Sequence, residues 1–433
     1  MMKIGNLTRN SIYNLLGQGL PMLVGLITIP RLVHALGVDR FGILTLTWAV
    51  MGYFSLFDLG LGRALTQLVA ERSGTGNDKA LPDIIRTALI MMLGLGLVGG
   101  VCLGAASPLV VGRVLRMSPA LHREVLYAFG LMAFSVPAVT LLAGLRGLLE
   151  ARQHFLEINL LRLAMGVFTF LGPWLVSFKT THLFWVVLSL EVMRYAALGA
   201  HYWMCRRVVP EMTMPASFQS NHWKVLLKFG GWMTVSNIIS PLMVNMDRFF
   251  IGAFLSVGAI AYYATPFDMV TKLLVISGAV VSVLFPMFGA LHRANPFEAI
   301  RLYRKGMRTI FLVLAPILLA LGLGAHWLLL HWLGPTFAQR GSAIMQILCL
   351  GVLANSLAAV PFAFIQGAAR PDLTAKFHLI EGPLYIILLM SLGSRLGILG
   401  VAWAWTLRVA LDLILLEVAA RRIQSRLTVF SNS

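Results

Sequence analysis

Charged residues are scarce in this 433-residue chain: only 12% of its residues are Asp, Glu, Lys or Arg, while 58% are hydrophobic. A soluble domain normally carries about 25% charged residues, so half that supply cannot cover a globule of this size. The mean hydropathy of +0.82 agrees with this imbalance. The scarcity of charge excludes soluble enzymes, nucleic-acid-binding proteins and disordered chains, and it predicts an integral membrane protein.

Cysteines and catalytic motifs are also scarce. The three cysteines, Cys102, Cys205 and Cys349, lie far apart and form no CxxC pair and no cluster at metal spacing. The sequence contains no GxxxxGK[ST] loop for ATP, no HExxH and no GxSxG. Its polar connections are too short for a soluble catalytic domain. We therefore expect no enzymatic activity, no cofactor and no metal site.

Long apolar runs are what the sequence has instead. A helix of about 20 apolar residues crosses a bilayer. Twelve such runs are present, at residues 11–33, 41–62, 84–112, 124–145, 157–178, 182–204, 224–252, 257–289, 308–333, 341–366, 373–393 and 396–419. Prolines inside several of them predict kinked helices around a cavity. In the third run, Gly96, Gly100 and Gly104 are spaced for close helix packing.

The distribution of basic residues predicts the topology. Lys and Arg number 35 against 17 acidic residues, and they favour cytoplasmic loops. An N-terminus inside the cell puts 24 of them on the inner side and nine on the outer side, so both termini are expected in the cytoplasm. The longest polar connection, residues 205–223, predicts a cytoplasmic linker between two six-helix bundles, 1–204 and 224–433. Weak similarity between these halves indicates a parallel repeat.

Ionisable residues inside the spans are the candidates for function, because a charge in hydrocarbon is costly. Asp268 and Lys272 stand one helical turn apart, as do Arg408 and Asp412, so each pair can neutralise itself. The other candidates are Arg31, Asp58, Arg63, Asp247, Arg248 and Glu381.

Two interpretations of these residues stay open from the spacing alone. The charges either pair or snorkel between packed helices, or they line a hydrated cavity. Lys272 lies too deep in its span to snorkel, which favours a cavity, whereas the pair of Arg408 and Asp412 suits a structural role. A proton or sodium site at Asp268 is a further alternative, although a counter-ion of Lys272 needs no other role.

Several segments resemble the bacterial polysaccharide flippases. Asn10–Asn14, Pro30–Gly37 and Arg40–Ile43 are similar to the opening of these proteins, and Phe57–Gly62 is similar to their second-span signature. Gly397–Ala404, followed by Arg408 and Asp412, resembles their final span. These proteins are the Wzx-like O-antigen and exopolysaccharide transporters of the multidrug/oligosaccharidyl-lipid/polysaccharide superfamily. The resemblance covers most of the chain and identifies no particular sugar.

The resemblance implies an all-helical fold in which two six-helix bundles surround a central cavity that opens alternately inward and outward. It places Arg31, Arg63, Arg248 and Lys272 on cavity-lining spans. The implied substrate is an undecaprenyl-pyrophosphate-linked oligosaccharide, which moves from the cytoplasmic to the periplasmic leaflet of the inner membrane. The implied partners are membrane lipid, the polysaccharide polymerase and the chain-length machinery, with no nucleic acid. The remaining in-span charges are candidates for ion coupling or charge pairing: Asp58, Asp247, Asp268, Glu381, Arg408 and Asp412.

Two other functions are alternatives. A cation-coupled drug exporter of the same superfamily would need acidic and aromatic residues in its cavity, and the excess of arginine there argues against it. A membrane polysaccharide polymerase would need a large periplasmic loop with catalytic polar residues, which the predicted outer connections are too short to provide. A cation-lined cavity suits the anionic substrate of a flippase, because it removes most of the cost of moving pyrophosphate through hydrocarbon.

Overall fold

A computed structural model of the chain describes residues 4–54, 58, 60–75, 80–152, 154–215, 245–368 and 370–430. These residues form helices and the turns that join them, and no β-strand occurs within the described ranges. Ten helical segments among them are long and apolar enough to cross a bilayer. The structure thus confirms an all-helical, multi-pass membrane protein.

The ten segments match the predicted spans, with two differences. The first two predicted spans fall in one helical stretch, Gly19–Tyr53, whose two parts meet at Gly37. The backbone of Gly37 leaves the helical region there (φ 76°, ψ 164°), a conformation that glycine adopts without a steric penalty. The predicted seventh span, 224–252, lies largely outside the described residues. Twelve spans in two bundles therefore remains a prediction.

The chain divides into two compact units, Met1–Leu242 and Met243–Ser433. The first contains seven described helices: α1 (Ile4–Tyr53), α2 (Leu61–Thr75), α3 (Leu81–Leu109), α4 (Pro119–Ala133), α5 (Ser135–Ala151), α6 (Phe155–Ser177) and α7 (Leu183–Val208). Helix α5 packs against α2, α3 and α7, and α1 packs along α6. Helix α7 ends inside the predicted linker and is followed by a 3₁₀ turn, Pro210–Thr213.

One ion pair ties three helices of the first unit together. Arg40 of α1 donates two hydrogen bonds to Glu124 of α4, from Nε to Oε2 (2.9 Å) and from Nη2 to Oε1 (2.6 Å). The backbone N–H of Leu183, the first residue of α7, donates to the same carboxylate (3.4 Å). A bidentate pair of this kind fixes geometry as well as charge. The start of α7 is therefore held beside α1 and α4.

The glycine run of α3 lies where that helix approaches α4 and α5. A Cβ atom on Gly96 would lie 2.4 Å from Thr140 Oγ1 and 2.6 Å from Pro137 Cα. A Cβ on Gly100 would lie 2.6 Å from the carbonyl oxygen of Ala133. Real Cβ atoms do not approach other atoms so closely, so only glycine permits this contact. The predicted close packing of the third span is confirmed at both positions.

The second unit is arranged around one helix. A helical segment at 245–250 continues into a π-helix, Ile251–Leu255. Seven helices follow: α8 (Val257–Thr271), α9 (Leu274–Ala294), α10 (Pro296–Leu323), α11 (Ala325–Leu333), α12 (Pro335–Gly367), α13 (Pro371–Leu396) and α14 (Ile398–Phe430). Helix α12 packs against all six of the others, and Phe337 and Phe364 on it are fully buried. It is the central helix of this unit.

We expect Gly96→Ala to destabilise the protein by about 1–3 kcal/mol, because the added methyl group overpacks the contact with Pro137 and Thr140. Gly94→Ala is the matched control, two residues earlier on α3, where a Cβ would meet no atom within 4 Å. Thermal unfolding of both purified variants in the same detergent gives the comparison. Equal unfolding temperatures would contradict the close contact.

Candidate functional site

Arg31 carries an exposed positive charge within the first unit. Its guanidinium carbon lies 5.2 Å from the centre of the Trp174 ring on α6, and its Nη1 donates to the carbonyl oxygen of Ile27 (3.2 Å). The face of an aromatic ring attracts a cation without neutralising it. Arg31 makes no ion pair with any described residue. The Trp174 ring therefore holds the guanidinium of Arg31 in place, and no described carboxylate neutralises its charge.

Asp58 has a local structural contact at the start of α2. Its Oδ1 accepts a hydrogen bond from the N–H of Gly60 (2.9 Å), and its Oδ2 accepts one from Gly62 (3.4 Å). Helix starts leave such amides without intrahelical partners, and a carboxylate satisfies them. Arg63 follows in the first turn of α2 with an exposed side chain, and no ion pair joins it to a described carboxylate. Asp58 thus caps the helix that presents Arg63.

A buried charge network lies in the second unit. Arg248, only 4% exposed, forms an ion pair with Asp268 of α8, and its guanidinium carbon lies 5.8 Å from the centre of the Phe267 ring. Asp247 is fully buried and accepts hydrogen bonds from the Tyr263 hydroxyl (2.6 Å) and from the backbone N–H of Arg248 (2.7 Å). These bonds attach the 245–250 segment to α8.

The expected pairing of Asp268 with Lys272 does not occur in the structure. Helix α8 ends at Thr271, so Lys272 lies in the turn before α9, where its side chain is exposed and makes no ion pair with a described residue. The side chain of Asp268 is 43% exposed and reaches Arg248. A counter-ion stabilises a buried guanidinium more than an exposed ammonium group, which explains why Asp268 pairs with Arg248 and not with Lys272.

A second buried charge cluster joins α13 and α14. Glu381 is fully buried, and its Oε2 lies 3.6 Å from Arg408 Nη1 and 3.7 Å from His378 Nδ1. Asp412 lies beside Glu381. The guanidinium carbon of Arg408 is 5.5 Å from the centre of the Tyr385 ring. The cluster thus combines two carboxyl groups with one arginine and one histidine.

The sequence predicted different contacts for this cluster. It paired Arg408 with Asp412 along α14, whereas the ion pair of Arg408 is with Glu381 on the neighbouring helix. It also missed His378, whose only signal is its position three residues before Glu381 on the same helical face. Spacing along one helix does not identify the partner on the next one.

None of these residues forms a metal centre. Within the described ranges, no three His, Cys, Asp or Glu side chains are grouped so that they could hold a metal ion. The candidate cations are therefore described unit by unit: Arg31 and Arg63 are exposed in the first unit, and in the second Lys272 is exposed while Arg248 is buried and paired. Such groups suit an anionic ligand that carries phosphate.

Known proteins are similar to this chain over most of its length. Residues 7–292 match the family described as "Polysaccharide biosynthesis protein". A protein from Shigella flexneri named as an O-antigen transporter is 28% identical over 416 residues, which are 95% of this chain and 97% of that protein.

Solved structures share the fold. The chain is similar to an inward-facing MATE family transporter of the MOP superfamily, with a TM-score of 0.77 at 14% identity over 97% of this chain and 95% of the transporter. It is also similar to the lipid II flippase MurJ, with a TM-score of 0.71 at 14% identity over 98% and 90% of the two chains. At this level of identity the similarity concerns the fold alone.

The revised pairing of Asp268 predicts unequal effects of two substitutions. Asp268→Asn should lower the free energy of unfolding by about 1–3 kcal/mol, because it leaves the buried Arg248 with less compensation, although Asp247 remains beside it. Lys272→Gln should leave stability unchanged, since Lys272 is exposed and not paired with Asp268. Thermal unfolding of the two purified variants measures this difference. Equal losses would support the pairing along the helix and contradict the structure.

Proposed function

The chain belongs to the polysaccharide biosynthesis protein family, and we propose that it is a flippase for an undecaprenyl-pyrophosphate-linked oligosaccharide. This membership confirms the resemblance to Wzx-like transporters. The observation that carries the proposal is the Shigella flexneri relative named as an O-antigen transporter, which aligns with 95% of the chain. In our proposal the substrate moves from the cytoplasmic to the periplasmic leaflet of the inner membrane, and no covalent bond changes.

The chemistry of the substrate explains why cations are needed. A pyrophosphate carries about two negative charges, and moving each through a dry hydrocarbon core would cost on the order of 20 kcal/mol in the idealised limit. We assign Arg31, Arg63 and Lys272 to a hydrated path that offsets this cost. Their side chains are exposed and none of the three forms an ion pair with a described residue, which supports the assignment. The lipid tail stays in the bilayer throughout.

Arg248 has a different part in the proposal, because its charge is already paired. Asp268, its counter-ion, is 43% exposed and belongs to a different helical segment. We propose that the pyrophosphate displaces Asp268 and takes its place on the guanidinium, whose forked donors match phosphate oxygens. Asp247 stays hydrogen-bonded to Tyr263 and holds the segment in position. An exchange of counter-ions avoids an unpaired buried charge at each stage.

The proposed direction of transport follows from the membrane potential. In the proposal the substrate's phosphates move outward, from the cytoplasmic to the periplasmic leaflet. An inside-negative potential favours that movement by about 2.3 kcal/mol per charge for each 100 mV. Alternating access of the path to the two sides is then sufficient, and no nucleotide is required. The pairing of Arg408 with Glu381 fits a structural role in this scheme.

Replacement of the exposed cations in a deletion strain tests the proposal. Without the gene, single lipid-linked repeat units should accumulate on the cytoplasmic leaflet, shielded from an enzyme added to the periplasmic side. Wild-type protein should restore export. The combined variant Arg31→Gln/Lys272→Gln should reduce export at least about tenfold, since a loss of about 1.4 kcal/mol in substrate stabilisation produces that factor.

Arg123→Gln is the control for lost charge, because Arg123 is an exposed arginine of α4 outside the proposed path. It should export normally, and immunoblots of membranes should show equal amounts of all variants. Normal export by the combined variant would contradict the assignment of the cations. Accumulation of repeat units on the outer leaflet in the deletion strain would contradict the flippase proposal and indicate a polymerase.

A further inference from the structure

A basic groove of the second unit lies apart from the residues that the proposed function uses. It is a cavity of about 650 Å³ lined by α10, α12 and α14. Three arginines line it: Arg304 and Arg308 from α10, and Arg421 from α14. Apolar side chains, among them Phe311 and Leu357, line the rest. The groove is therefore amphiphilic.

The positive charge of the groove is only partly neutralised. Arg421 Nε lies 2.9 Å from an oxygen of Glu417, and the hydroxyl of Tyr303 donates to the other oxygen of that carboxylate. Arg304 and Arg308 make no ion pair within the described part of the chain. They stand four residues apart on α10, where like charges repel. Three guanidinium groups thus face one carboxylate, and an anion would lower the repulsion.

A polar donor in the groove also lacks an acceptor. Gln424, one turn beyond Arg421 on α14, lines the cavity, and its Nε2 is buried with no hydrogen-bond partner in the described structure. Buried donors in proteins are nearly always paired. A ligand with several acceptor oxygens, such as a phosphate ester, would satisfy this amide and the arginines together.

The groove lies at the depth where lipid headgroups are expected. On α10, basic residues recur up to Arg308, and the following stretch 309–323 contains no charged residue. Such a boundary between charge and apolar sequence corresponds to the membrane interface. All three arginines fall on the predicted cytoplasmic side. A ligand there can place phosphate on the arginines and hydrocarbon against Phe311 and Leu357.

We propose that this groove binds an anionic phospholipid of the cytoplasmic leaflet, with its phosphate on Arg304 and Arg308 and an acyl chain against Phe311 and Leu357. Basic pockets between membrane helices recognise such headgroups. A zwitterionic phospholipid carries its own cation and gains less from the excess of positive charge. The binding of this lipid does not depend on the transport proposed for the chain.

Native mass spectrometry of the full-length protein in detergent, titrated with phosphatidylglycerol, tests the proposal. Wild-type protein should bind phosphatidylglycerol more tightly than phosphatidylethanolamine. Arg304→Gln/Arg308→Gln should weaken the tightest binding about thirtyfold, which corresponds to about 2 kcal/mol. Lys305→Gln/Arg422→Gln is the charge-matched control, since these neighbouring exposed residues do not line the groove. Its affinity should stay within about twofold of wild type.

Several results would overturn the proposal. One is equal binding of the two phospholipids by the wild-type protein, and another is an equal loss of affinity in both double variants. Retention of wild-type affinity by Arg304→Gln/Arg308→Gln would overturn it as well. Thermal unfolding of both variants, expected at the wild-type temperature, separates lost binding from lost folding. Binding of added undecaprenyl diphosphate in place of phosphatidylglycerol would assign the groove to the substrate's carrier instead.

Discussion

A charge inside a membrane needs a counter-ion or water, and this requirement organises the helices of both units. Some counter-ions, such as Glu191 for Arg194, come from the same helix, whereas others come from a different helical segment. Three ion pairs of this kind join separate segments: Arg40 with Glu124, Arg248 with Asp268, and Arg408 with Glu381. Each holds its segments in register, because removing one partner would leave a costly charge among apolar side chains.

The division between paired and exposed cations connects the structure to transport. Arg31 lies against an aromatic ring, and Lys272 lies in a turn between helices. Neither forms an ion pair with a described residue. Arg248 has a partner that is itself partly exposed. In the proposed function a pyrophosphate would contact the exposed cations and would replace the counter-ion of Arg248.

Composition and periodicity predicted the general architecture from the sequence. The scarcity of charge indicated a membrane protein, and the spacing of Gly96 and Gly100 indicated a close helix contact that the structure contains. The glycine spacing was informative because, within one helix, distance along the sequence fixes geometry. The family motifs likewise lie in short contiguous segments, which is why they were detectable. Two features remain predictions: the number of spans, and a cavity that opens alternately to the two sides of the membrane.

The partners of the buried charges were not predictable in the same way. Spacing placed Asp268 beside Lys272 and Arg408 beside Asp412, yet the ion pair of Asp268 is with Arg248 and that of Arg408 is with Glu381, each on another segment. Residues four positions apart lie on the same face of a helix. Which side chains of a neighbouring helix contact that face depends on how the helices pack. Local sequence reveals which residues carry charge, and only the fold reveals which of them are neutralised.

Transport by the purified protein would establish whether the chain is a flippase. Full-length protein would be reconstituted into vesicles that contain a lipid-diphosphate oligosaccharide, with a membrane-impermeant enzyme added outside to report which molecules are accessible. If the chain is a flippase, the whole substrate pool becomes accessible in vesicles with protein, and only the outer-leaflet half in vesicles without it. The account also predicts that an uncharged glycolipid with the same tail is not moved. Equal accessibility with and without protein would contradict the account.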